Sequence, residues 1–220
     1  GTFARLAERR LLLVRRRLAP TPAPSGFTAH HHHRYTTAAS GSSGWEPCSD
    51  IGERRFVLPT STSMHTASVW LAARGCVADD QDSDDARPAS GTLGVAVEFK
   101  VPWRSPLRLP TAFKALLDGI VCSFHRHNGH GDLDELAARV TAKLNGSIHE
   151  EQVKRLLTTG PSELGARRLL HAWGGSVQWN PADDELVVIE ARLVRSDTDT
   201  PACQAKLVQP RPAEGLCPDD

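Results

Sequence analysis

The chain has no excess charge of either sign. Its 26 basic and 26 acidic residues cancel over 220 positions. That balance excludes a uniformly polybasic nucleic-acid binder and a wholly disordered, self-repelling chain. A long apolar run is missing as well, and no stretch approaches the ~18 residues that a spanning helix requires. The apolar core of a secretory signal, ~7–15 residues, is absent too, because Leu11–Val14 is bounded on both sides by arginines or polar chain. Cysteine is sparse: Cys48, Cys76, Cys122, Cys203 and Cys217 lie far apart, without the short spacing of a zinc knuckle or a redox pair. Unpaired, reduced thiols are the expectation, in a cytoplasmic or nuclear protein with no membrane partner.

The neutral total hides local blocks. Residues 1–17 carry Arg5, Arg9, Arg10, Arg15, Arg16 and Arg17 against the single acid Glu8, while Asp79, Asp80, Asp82, Asp84 and Asp85 crowd a short stretch without a base. Such blocks favour solvated chain. Leucines among the first arginines suit a short helix, ended by Pro20, Pro22 and Pro24. Residues 18–52 then read as linker. The histidine run His30–His33 is a possible divalent-metal binder in principle, but its Ser/Thr/Gly-rich neighbours make it low-complexity chain.

Periodicity sharpens further on. Arg55–Pro59 has the character of a short strand, and His65–Arg74 that of a short helix closed by Gly75. In Leu93–Val101, Val95, Val97, Phe99 and Val101 share one face, which predicts a strand with one buried side that Pro102 terminates. From Thr111 onward, Phe113, Leu116, Leu117, Ile120, Val121 and Phe124 form a continuous helical stripe. Asp132 with Glu135 has the form of a capping box before a helix that Asn145 and Gly146 close. Ser147 opens a third helix to Thr158, and Pro161 a shorter fourth. Gly175–Trp179 and Glu185–Val194 read as two strands of a hairpin, joined by a turn through Asn180, Pro181, Asp183 and Asp184. The fold class expected is α+β. One small domain of a few strands and three to four helices spans 92–195, after a poorly ordered region 1–91 and before a flexible tail 196–220.

Three patterns bear on chemistry. The strand Thr92–Pro102, with Gly94, Val95, Glu98 and Phe99, resembles the first strand of the fungal putative amidoligases, which are similar to glutamine synthetase. The resemblance implies a divergent or fragmentary ATP-dependent carboxylate–amine ligase. Glu98 and Glu190 would then be magnesium ligands and catalytic residues alongside Lys100, with Arg192 facing the phosphates of ATP. Ala96 stands where that family places its first glutamate. The same Glu98-Phe99-Lys100 triplet resembles the acid-x-Lys ending of restriction-endonuclease-like nucleases. Asp84 or Asp85 would there be the second magnesium ligand, and nucleic acid the partner. Asp132-Leu133-Asp134-Glu135-Leu136 resembles the acidic helix of Holliday-junction resolvases, with His149 and Glu150 where the later acidic pair belongs, although helix capping explains Asp132 and Glu135 by itself.

A non-catalytic interaction protein is the third class. Asp183 and Asp184 read as solvated turn residues. His125, His127 and His130 read as a solvated helix end rather than a zinc site. Trp103, Trp173 and Trp179 are expected to close the core, and Lys114 with Asp118 to form a surface pair.

Overall fold

The computed structural model describes residues 10–14, 45–59, 64–76, 89, 91–129, 131–181 and 186–212. The histidine run, Asp84, Asp85, His130, Asp183, Asp184 and Cys217 lie outside them. The fold is α+β. Strands are numbered in chain order: β1 (Arg10–Val14), β2 (Trp45–Val57), β3 (Leu93–Pro102), β4 (Arg126–His127), β5 (Ala166–Arg167), β6 (Leu170–Trp173), β7 (Ser176–Trp179), β8 (Leu186–Ser196) and β9 (Ala202–Pro212). The helices are α1 (Thr66–Gly75), α2 (Leu109–Ser123), α3 (Leu133–Lys143) and α4 (Glu150–Thr158).

Five strands make one mixed sheet in the order β1-β8-β3-β9-β2. The β3–β8 pair is parallel, and the β1–β8, β3–β9 and β2–β9 pairs are antiparallel. Val95, Val97, Phe99 and Val101 of β3 point to one side, as the alternation predicts, together with Ile189, Ala191 and Leu193 of β8 and Cys203, Ala205 and Leu207 of β9. This face is covered by α1 and α2, through Val69, Ala73, Leu116, Leu117, Ile120 and Val121. The opposite faces of the two helices bury Trp70 and Cys122 in a second core with Leu136, Val140, Val153, Leu157 and Leu169. The order of layers is therefore sheet, then α1 and α2, then α3, α4 and the β6–β7 hairpin.

Gly119 lets α1 and α2 approach closely. A Cβ there would lie 2.8 Å from Thr66 O and 2.9 Å from Trp70 N. Helix α3 closes as expected, with Asn145 (φ 55°) and Gly146 (φ 69°) left-handed. Left-handed backbone is where Gly and Asn are least strained.

The structure corrects several expectations. The compact unit is not confined to 92–195. Strand β9 inserts between β3 and β2, so much of the supposed tail is central sheet, and β2 begins at Trp45 inside the supposed linker. Residues 10–14 form a strand rather than a helix, because the open edge of β8 offers a full ladder to Leu11, Leu12 and Leu13. Strand β7 pairs with β6 instead of β8. Residues 161–165 form a turn, not a fourth short helix. Helix α4 begins after His149, which caps it by backbone alone, rather than at Ser147. Asp132 sits at the N-cap of α3, yet its carboxylate turns to Arg168 (2.6 Å) and Glu135 pairs with Arg139. A tertiary partner, Arg168, and a partner one turn along the same helix, Arg139, have displaced the reciprocal capping box.

Candidate functional site

The second face of the sheet carries no helix among the described residues, and all four candidate residues stand on it. Strand register fixes them as a grid. Val57, Ala202, Lys100 and Val194 form one row across β2, β9, β3 and β8. Arg55, Gln204, Glu98 and Arg192 form the next, followed by Glu53, Lys206, Ala96 and Glu190. Alternation produces this: inward residues of β3 are Val and Phe, so Glu98 and Lys100 must face outward.

Glu98 and Glu190 are therefore on one face of neighbouring strands. They are two positions out of register, about 8 Å apart at Cα from the strand rise and interstrand spacing. Each carboxylate has a cation beside it on its own strand. Lys100 Nζ lies 3.4 Å from Glu98 Oε1, and Arg192 Nε donates to Glu190 Oε1 at 2.7 Å. The rest of the face repeats the pattern. Arg55 Nε donates to Glu53 Oε1 at 2.9 Å, Gln204 donates to the same oxygen, and Lys206 Nζ reaches Asp50 Oδ2 at 2.6 Å. The bonds from Arg55 and Gln204 hold the Glu53 carboxyl below its usual range, while Asp50 raises Lys206.

This donor set does not suit magnesium. The ion needs near-octahedral oxygen ligation. Ala96 occupies the register position opposite Glu190, and an ion at Glu98 or Glu190 would sit against Lys100 or Arg192. Among the described residues no group of three or more His, Cys, Asp or Glu side chains could hold a metal ion. Lys154 bridges Asp134 and Glu151, so the acidic helix resembling a resolvase is engaged in surface pairing.

A second polar cluster was not anticipated. Arg54 and Arg74 are each only 1% exposed. Arg54 lies on the inward side of β2 beside Phe56, binds Glu163 through Nη1 (2.8 Å) and Nη2 (2.6 Å), and places its guanidinium 4.4 Å from the Phe124 ring centroid. Arg74 donates to Ser123 O (3.0 Å), Leu156 O (3.1 Å), Thr159 O (2.5 Å) and Pro161 O. Those carbonyls mark the C-terminal ends of α2 and α4, where orphan acceptors and the negative dipole end favour a cation. Burial, then the Arg54 charge, lower Arg74 to about 10, still protonated at neutral pH. The cluster ties three helix ends to the sheet and is structural. Strand alternation through Arg54, Phe56 and Leu58 is the signal that marks Arg54 as inward.

The histidines differ from expectation too. His125 and His127 are buried rather than solvated. The His125 Nδ1 lies 3.3 Å from Gly165 O, and the His127 Nδ1 accepts from Leu169 N at 3.1 Å. Trp103 and Trp173 are 64% and 72% exposed and do not close the core. That role belongs to Trp70, whose ring centroid is 5.3 Å from that of Trp179. The Lys114–Asp118 pair forms at 2.7 Å, with Asp118 largely covered.

No helix among the described residues is long and apolar enough to cross a membrane. No family model matches the chain, and no curated protein or solved structure is significantly similar to it.

Proposed function

We propose that this protein is a non-catalytic binding module whose contact surface is the open face of the five-stranded sheet. One observation carries the reading: Asp50, Glu53, Glu98 and Glu190 each have a basic side chain within 2.6 to 3.4 Å. A carboxylate held against a neighbouring cation is a poor metal ligand, because an incoming ion would meet that cation. The same checkerboard of exposed, opposite charges suits recognition, since electrostatic complementarity fixes register and partner choice.

A magnesium-dependent carboxylate–amine ligase is the second reading. It is favoured by the placement of Glu98 and Glu190 on one face of adjacent strands. For the nuclease alternative, Asp84 and Asp85 lie outside the described residues, and Lys100 is beside Glu98 rather than directed to a separate water site. Calorimetric titration of the full chain with magnesium and ATP, in parallel with Glu98→Gln, separates the readings. The binding module gives no saturable heat. Saturable heat in the wild type that is lost in Glu98→Gln overturns it in favour of the ligase.

A further inference from the structure

The charges of the open face complement one another from row to row. In the strand order β2, β9, β3, β8, one row runs Arg55, Gln204, Glu98, Arg192 and the next Glu53, Lys206, Ala96, Glu190. On the outer strands the two rows carry opposite charges, Arg55 against Glu53 and Arg192 against Glu190. On the inner strands a charge meets a neutral side chain, Lys206 against Gln204 and Glu98 against Ala96. No strand carries like charges in both rows. Consider a second copy laid face to face, about a two-fold axis that crosses the strands between these rows. Arg55 then lies over Glu53 of the second copy and Arg192 over its Glu190, and symmetry repeats each contact. In the same arrangement Val194 lies over Val188 of the second copy, apolar against apolar. A two-fold along the strands, between β9 and β3, instead sets Arg55 over Arg192 and Glu53 over Glu190, and like-charge repulsion disfavours it.

The outer cations are able to reach across. Arg55 and Arg192 are 71% and 57% exposed, and each donates Nε to the carboxylate of its own strand. Their Nη atoms make no hydrogen bond among the described residues, and a guanidinium fork holds a second carboxylate in that geometry. Each in-strand pair thereby becomes part of a four-charge network, which contributes more than an isolated surface pair. Aligned sheets cross at about −30°, and at the outer strands, about 7 Å from the centre, this shifts a row by about 4 Å, within reach of Arg and Glu side chains. Four strands about 4.8 Å apart and four rows about 7 Å apart give a flat footprint of about 500 Å² per copy. That is smaller than the ~800 Å² per partner of a standard interface. The association is accordingly reversible, with a Kd on the order of 100 μM.

We infer that the open sheet face pairs with a second copy of this chain in a symmetric, face-to-face dimer held by Arg55–Glu53 and Arg192–Glu190 contacts. The inference rests on the binding-module reading and names the partner of that surface. Sedimentation equilibrium of the full chain from about 10 μM to about 1 mM brackets the expected constant. It should show a monomer–dimer transition that weakens as salt is raised from about 0.05 to about 0.5 M. Arg55→Glu should weaken the dimer by about tenfold or more, because carboxylates then meet at both symmetry-related contacts. The double reversal Glu53→Arg with Arg55→Glu should restore self-association to within about threefold, since opposite charges again face each other. Its mixed dimer with fluorescently labelled wild type should be weaker than either homodimer by about tenfold, since like charges then meet on β2. The double reversal also rebuilds the in-strand pair, so the mixing test stands whatever the single reversal does to stability. A chain that stays monomeric to about 1 mM overturns the inference and leaves the face to a different partner. A dimer indifferent to Arg55→Glu, or a double variant that pairs with wild type as tightly as with itself, overturns it too. Failure of the module reading shows separately, as magnesium–ATP heat that Glu98→Gln removes.

Discussion

Glu163→Gln should be among the most destabilising single substitutions available in this protein. Glu163 accepts two bonds from Arg54, and it is the carboxylate that offsets the positive charge of both Arg54 and Arg74. The amide keeps the volume and removes the charge. Arg54 is then left buried with Ser123 O (3.1 Å) and Glu53 O (3.0 Å) as acceptors, beneath the Phe124 ring. Removing one partner of a buried pair costs about 3–5 kcal/mol. Since the Glu163 side chain is 15% exposed, water reaches its edge and the lower part of that range, about 3 kcal/mol, is expected. Typical stabilities are only about 5–15 kcal/mol, so this is a large fraction. Urea unfolding followed by fluorescence of the buried Trp70 provides the assay. The partner variant Arg54→Met completes a double-mutant cycle, and the double variant should recover much of the loss, because no uncompensated charge remains at Arg54. A loss below about 1 kcal/mol, the level of an exposed pair, or strictly additive single effects, would refute the reasoning.

Two further outcomes follow from other buried groups. Burial, before any other cause, depresses His125 to about 4, against the 6.5 of a solvated imidazole. Its contribution is complete above pH 6.5. It declines as pH falls toward 4, because only the unfolded chain takes up the proton over that window, and levels off below it. Between pH 7.5 and pH 5 the wild type should lose about 2 kcal/mol through this residue, and the same comparison in His125→Phe should lack that increment; equal losses would contradict it. Gly119→Ala should lower the melting temperature. Helix propensity favours Ala by about 1 kcal/mol, but the added Cβ would meet α1 backbone at 2.8 Å, and overpacking of this kind costs about 1–3 kcal/mol. A melting temperature at or above that of the wild type would show that the helices separate freely.

The sequence by itself determined the elements whose information is local. Strand β3 was legible because Val95, Val97, Phe99 and Val101 repeat at the strand period, and α2 because Phe113 through Phe124 repeat at the helical one. The left-handed pair Asn145 and Gly146 marked the end of α3 by chemistry alone. Alternation also set Glu98 with Lys100 on one side of β3 and Glu190 with Arg192 on one side of β8, but only the parallel β3–β8 register put both pairs on the same face of the sheet. Tertiary structure decided what depends on partners distant in the chain. Strand β9 alternates through Cys203, Ala205 and Leu207, of which the first two are small and make a faint pattern, and it became a central strand only by pairing with both β3 and β2. Residues 10–14 became a strand because the edge of β8 was open to them. Arg54 and Arg74 became core residues because helix ends supply carbonyls and the Phe124 ring, and the 161–165 turn supplies the Glu163 carboxylate, around them. Periodicity records which side of an element is apolar. It does not record which other element supplies the charges and hydrogen bonds on that side, and here those partners decide both the buried arginines and the paired state of Glu98 and Glu190.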